Sequence, residues 1–148
     1  MKASPLRVLI VDSSGVQRMI IEKMLSLNGY FRVAPVESFA QLLIYTQYAL
    51  RPFDIVLVNS EVAIDSGIDI YSFCTTDVNI HHFIVYNTMK FDVLSFDMSR
   101  SKVKATLPGA LDANALQALI AMIEVNSKST LGAKRVSMVS TLKIPNTL

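Results

Sequence analysis

Several polar residues stand where apolar runs of this sequence stop, and these are the places to look for chemistry. Asp12 closes "LRVLIVD", Asn59 closes "DIVLVN", Asn87 closes "HFIVYN", and Gly109 lies in the turn after "VKATL". Asp12 is the one carboxylate in that group. A lone carboxylate can position a cation or a ligand amine, or it can steady the start of a following helix, and the second role is the expectation. Asn59 carries an amide, which is too poor a nucleophile for covalent catalysis. Glu61, two residues further on, is expected to face water, and Asp65 and Ser66 to shape the turn around Gly67. His81 and His82 have no other His or Cys close enough in sequence to complete a zinc set, so no metal site is expected. Cys74 cannot form an internal disulfide and reads as a buried thiol within "DIYSFC".

The elements that must hold these residues alternate along the chain. Short branched runs at 6–12, 32–36, 54–59, 82–87 and 103–107 lack polar alternation and predict strands buried on both faces. Between them, Ser13 or Ser14 caps a helix whose apolar stripe is expected at Val16, Ile20, Ile21, Met24, Leu25 and Leu27, with Gly29 as its stop. A second helix is expected from Glu37 or Ser38 to Leu50, before Pro52. A third follows Gly67, a weaker fourth covers about 91–99, and the fifth runs from Asp112 through Val125. Such alternation with short connections implies an α/β doubly wound five-stranded parallel sheet flanked by five helices. In these sheets ligands and chemistry gather at the carboxyl ends of the strands. Asp12, Ser13, Asn59, Asn87 and the turn after Leu107 should therefore converge.

Composition narrows the function classes. The chain has 148 residues, enough for one domain with a sizeable core, and 51% hydrophobic against 18% charged content excludes wholesale disorder. The net charge of +2 hides an asymmetry: the last acid is Glu124, and Lys128, Lys134, Arg135 and Lys143 follow it. Residues 1–126 read as the domain and 127–148 as a basic tail or linker, solvated and not a nucleic-acid contact. No run approaches the roughly 18 consecutive apolar residues of a membrane span, so a cytoplasmic location is expected.

With these elements in place, residues 5–126 resemble the receiver domain of two-component response regulators. "RVLIVDSSGVQRMIIEKMLSLNGY" resembles that family's first strand, acidic turn and first helix, "RPFDIVLVNSEVAIDSG" its third strand and loop, and "ATLPGALDANALQALI" its fifth strand, loop and fifth helix. The resemblance implies the flavodoxin-like receiver fold and a site built for phosphoryl transfer, with an acceptor carboxylate, two further acids for Mg²⁺, a hydroxyl and a lysine. Here the acceptor position is Asn59, Ser13 replaces one acid beside Asp12, Asn87 holds the hydroxyl position, and Gly109 the lysine position. Thr106 takes the place of the aromatic switch. The resemblance thus implies a degenerate, pseudo-receiver pocket with no phosphotransfer, no enzymatic activity and no cofactor. Clustered carboxylates repel unless compensated, so Asn59 and Ser13 relieve the pocket and are expected to bond to each other or to Asn87.

Signalling must then run through a surface. On the fifth helix Leu116, Leu119, Ile120 and Ile123 form a sheet-facing stripe, while Ala115, Ala118, Met122 and Val125 form a second one. That second stripe is expected to bind a partner: the resemblance implies a homodimer or a regulatory protein docked on the fourth helix, fifth strand and fifth helix. An output domain beyond the tail is a further expected partner. A small-ligand sensor using the emptied pocket is the alternative.

Overall fold

In the computed structural model, the described residues are 3–88, 95–97 and 102–129, of which 95–97 and 126–129 are described by their backbone alone. The branched runs become β1 (Ser4–Val11), β2 (Tyr30–Val36), β3 (Phe53–Asn59), β4 (Ile80–Tyr86) and, after the short strand β5 (Ser95–Asp97), β6 (Lys104–Leu107). The helices are α1 (Gly15–Leu27), α2 (Phe39–Gln47), α3 (Ile70–Thr76) and α4 (Ala113–Ser129), with a 3₁₀ segment at Ser60–Ser66. Strand order is β2-β1-β3-β4-β6-β5, all parallel except β5, which runs antiparallel to β6. The five parallel strands are the expected ones.

Residues 95–97 correct one expectation. They pair Ser95 with Thr106 and Asp97 with Lys104 as a strand, where a helix over 91–99 was expected; the rest of that segment lies outside the described residues. "FDVLSFD" has apolar residues at spacings that fit either period, and an unpaired β6 edge offers backbone partners to an extended chain. The tail from residue 130 also lies outside the described residues, and α4 continues three residues past 126.

Because every parallel strand is covered on both faces, the core is two clusters separated by the sheet. Val8, Ile10, Ile55, Leu57, Ile84 and Tyr86 pack toward α1 and α4, whereas Leu9, Val11, Val56, Val58, Phe83 and Val85 pack toward α2 and α3. Alternation along each strand enforces this division. The Tyr30 hydroxyl donates to the Glu124 carboxylate, and the Gln117 amide to Asn28, tying α4 to the β2–α1 edge.

The orientation of α1 differs from the expected stripe. Ile21 and Leu25 are buried and Met24 is packed against them, but Val16, Ile20 and Leu27 are exposed, at 69%, 48% and 67%. At 100° per residue these three lie a quarter turn or more from Ile21 and Leu25, so one helix cannot bury both sets against one sheet. Met19, also 69% exposed, extends the outward apolar face, interrupted only by Lys23. Ala115 and Met122 of α4 depart from expectation the opposite way. Both are buried, Met122 inside the core cluster, which leaves only half-buried Ala118 and exposed Val125 of the proposed partner stripe accessible.

His82 begins the unbroken buried run of β4. Its Nδ1 accepts the Val103 N–H at 2.9 Å, so Nε2 carries the proton, and it has no partner among the described residues. Burial, with His81 stacked beside it and Lys102 nearby, lowers its pKa to about 3. An unfolded histidine titrates near 6.5, so the unfolded chain binds the extra proton first and stability falls as pH drops below that value. Chemical denaturation should show about 2 kcal/mol less stability at pH 5 than at pH 7 from this group. A His82→Phe variant should lose most of that pH dependence, and an unchanged pH slope in the variant would refute the assignment.

Candidate functional site

Parallel register carries the ends of β1, β3 and β4 to one level, with Val11 beside Val58 and Asn59 beside Tyr86. Asp12 and Asn59 therefore meet at the carboxyl end of the sheet. Asp12 is 1% exposed and Asn59 6%.

A buried carboxylate is tolerated only when its oxygens are bonded. Asp12 Oδ1 accepts the Ser14 N–H at 2.9 Å, while Oδ2 accepts the Asn59 amide at 3.1 Å and the Tyr86 hydroxyl at 2.6 Å. The Asp12 carbonyl takes the Arg18 guanidinium at 2.6 Å. Ser14, whose Oγ accepts the Gln17 N–H, is the cap of α1, and Asp12 steadies the turn leading into it. The Tyr86 phenol is itself raised above its ordinary pKa, first by burial and then by its bond to the Asp12 carboxylate, so it stays a neutral donor.

Asn59 uses both ends of its amide. Nδ2 donates to Asp12, and Oδ1 accepts the Glu61 N–H at 2.9 Å, capping the 3₁₀ segment. The expected bonds to Ser13 or Asn87 are replaced by these two, because Asp12 offers a charged acceptor where Ser13 offers a hydroxyl. Ser13 is exposed and Glu61 faces solvent.

Asn87 closes the mouth with its backbone. It holds φ at 59°, a left-handed conformation that Asn tolerates better than most side chains. In that turn its N–H donates to the Gly109 carbonyl at 3.0 Å and its carbonyl accepts the Ser60 hydroxyl at 2.6 Å. Thr88 adds two bonds to the Leu107 carbonyl, from its N–H at 3.1 Å and its hydroxyl at 3.2 Å. Thr106 is buried within β6, and Gly109 is exposed in the turn. The ends of β3, β4 and β6 are thus laced together above the Asp12–Asn59 pair.

Two members of this constellation escaped sequence reading. Tyr86 sits inside an apolar run, yet a hydroxyl on a buried strand must find a partner, and that requirement is the signal that points to it. Ser60 follows Asn59 directly and carries no distinguishing pattern. No group of three or more His, Cys, Asp or Glu residues able to hold a metal ion occurs among the described residues. One carboxylate with three neutral donors is also the wrong set for Mg²⁺, which favours oxygen ligands in octahedral array. No helix among the described residues is long and apolar enough to cross a membrane.

This topology is matched by solved receiver domains. The N-terminal domain of a response regulator/sensory box/GGDEF three-domain protein from Carboxydothermus hydrogenoformans is 16% identical, with a TM-score of 0.58 over 84% of this chain and 98% of that one. A response regulator receiver domain from Clostridium thermocellum is 17% identical, with a TM-score of 0.57 over 85% of this chain and 98% of that one. A fusion carrying the trimeric coiled coil of yeast Spc42, amino acids 181–211, is 15% identical, with a TM-score of 0.60 over 95% of this chain and 93% of that one. Neither a protein-family model nor a curated protein sequence matches the chain. The chain has the fold of response-regulator receiver domains.

Proposed function

We propose that this chain is a phosphorylation-independent, receiver-like signalling module that acts by protein–protein contact and has no enzymatic activity. The observation that carries this reading is the state of Asp12: both oxygens of the site's buried acid are occupied by neutral donors, one of them the amide at the acceptor position. With three of its roughly four acceptor positions filled by neutral donors, this acid does not need a cation or a phosphoryl group to hold its surroundings in place. The same bonds weigh against a small-ligand sensor in this pocket, since Asp12 and Asn59 are buried and already serve each other.

The contact surface is better placed on α1 than on α4. Val16, Met19, Ile20 and Leu27 make an outward apolar face broken only by Lys23, the kind of surface that marks an interaction site on a small domain. The partner is a second copy of the chain or another regulatory protein.

Sedimentation velocity across a concentration series, with and without acetyl phosphate and Mg²⁺, tests this reading. Association, with itself or with a partner added in trans, should be unaffected by the phosphoryl donor and abolished by Met19→Glu. Association that appears only with acetyl phosphate would overturn it, and so would Met19→Glu binding as well as the parent chain.

A further inference from the structure

At the opposite end of the sheet, the amino ends of β1, β2 and β3 gather three arginines. Arg7 and Arg32 are register partners on adjacent strands, which directs their side chains to the same face, and Arg51 stands just before β3. All three line a cleft of about 310 Å³ together with Phe31 and Phe53, and no carboxylate lines it. A larger cleft of about 620 Å³ adjoins it, sharing Arg7 and Arg51 and adding His81 and Lys102. Its two acids are engaged with backbone, Asp54 with the Arg7 N–H and Asp77 with the Asn79 N–H, each at 2.8 Å. Lys102 is spent on the Cys74 and Thr75 carbonyls.

The Arg7 guanidinium is held in place before any ligand arrives. Its Nη1 donates to the Arg51 and Pro52 carbonyls at 2.9 and 3.2 Å, and the group lies 4.4 Å over the Phe53 ring. Arg32 and Arg51 are exposed, with no side-chain hydrogen bond or ion pair among the described residues. Three like charges in one cleft repel one another unless an anion joins them. Guanidinium forks match phosphate oxygens in pairs, and a pre-oriented one gives up less entropy on binding. Phe31, 61% exposed at the same cleft, offers an uncovered aromatic face for a planar ring.

We propose that the cleft around Arg7, Arg32, Arg51 and Phe31 binds a phosphate-bearing small anion of the nucleoside diphosphate class. Isothermal titration calorimetry of the full chain with ADP and with pyrophosphate distinguishes a nucleotide site from a bare phosphate site. ADP should bind more tightly than pyrophosphate, and added NaCl should weaken both. Arg32→Glu/Arg51→Glu, which changes only exposed side chains, should weaken both ligands by about tenfold or more. Lys23→Glu, on the outer face of α1, should change neither. Phe31→Ala should bring ADP to the level of pyrophosphate. Absence of binding at millimolar ligand would overturn the proposal, as would equal weakening by Lys23→Glu, which would reveal diffuse charge attraction. An ADP preference that survives Phe31→Ala would overturn the nucleoside assignment.

Discussion

Asn59→Asp should lower the stability of the folded chain by about 3 kcal/mol at pH 7. The amide that donates to Asp12 Oδ2 at 3.1 Å would become a second carboxylate at that distance. Both groups are buried, and among the described residues no lysine bonds either of them, while the Arg18 guanidinium is held by the Asp12 backbone carbonyl; the lysine position of the receiver pattern is Gly109. One proton must then be retained by the pair, which raises its folded pKa above the ordinary unfolded value near 4. A raised folded pKa adds stability at low pH that is lost as pH rises through it, so the deficit relative to the parent chain should shrink toward pH 4 and grow toward neutrality. Urea denaturation at pH 4.5 and pH 7 would show this. A variant as stable as the parent at both pH values would mean that the Asn59–Asp12 bond does not hold the site. The substitution restores the family's acceptor in name only, because Tyr86 still occupies the same oxygen of Asp12.

Much of this arrangement was legible from residue order. Five apolar runs without polar alternation named the parallel strands, and the rule that sites form at strand carboxyl ends brought Asp12, Asn59, Asn87 and Gly109 together. What was not legible has physical causes. Asn59 has several hydrogen-bonding neighbours at that end, and its choice of Asp12 over Ser13 or Asn87 depends on which group is buried and charged. Tyr86 is hidden by its own hydrophobicity, since its ring satisfies the apolar pattern while its hydroxyl does the site's polar work. Along α1, Val16, Ile20 and Leu27 compete with Ile21, Met24 and Leu25 for the role of core stripe, and composition cannot choose between two apolar faces. The surplus face left outside is what makes α1 the better contact surface. On α4 two of the four residues of the second stripe, Ala115 and Met122, are buried, because small or flexible residues fit a close approach to the core as readily as exposure.

The second large expectation concerns the chemistry itself: the chain should bind no Mg²⁺ at its strand ends and should form no acyl phosphate. Mg²⁺ dehydrates reluctantly and selects sites with carboxylate oxygens free to enter its octahedron. Asp12 has little to offer, since Ser14, Asn59 and Tyr86 fill three of its roughly four acceptor positions, and Ser13 supplies no second charge beside it. Phosphoryl transfer depends on such positioning and charge neutralisation, and the receiver pattern that the sequence resembles puts a carboxylate where Asn59 stands.

Intact-mass spectrometry after incubation with acetyl phosphate and Mg²⁺, with amide NMR spectra recorded through the Mg²⁺ titration, measures both halves of that expectation at once. The chain should keep its unmodified mass, and the amides of Ser14, Asn59 and Glu61 should show no saturable shift. A single acid-labile phosphoryl adduct, or saturable Mg²⁺ shifts centred on Asp12, would contradict the account.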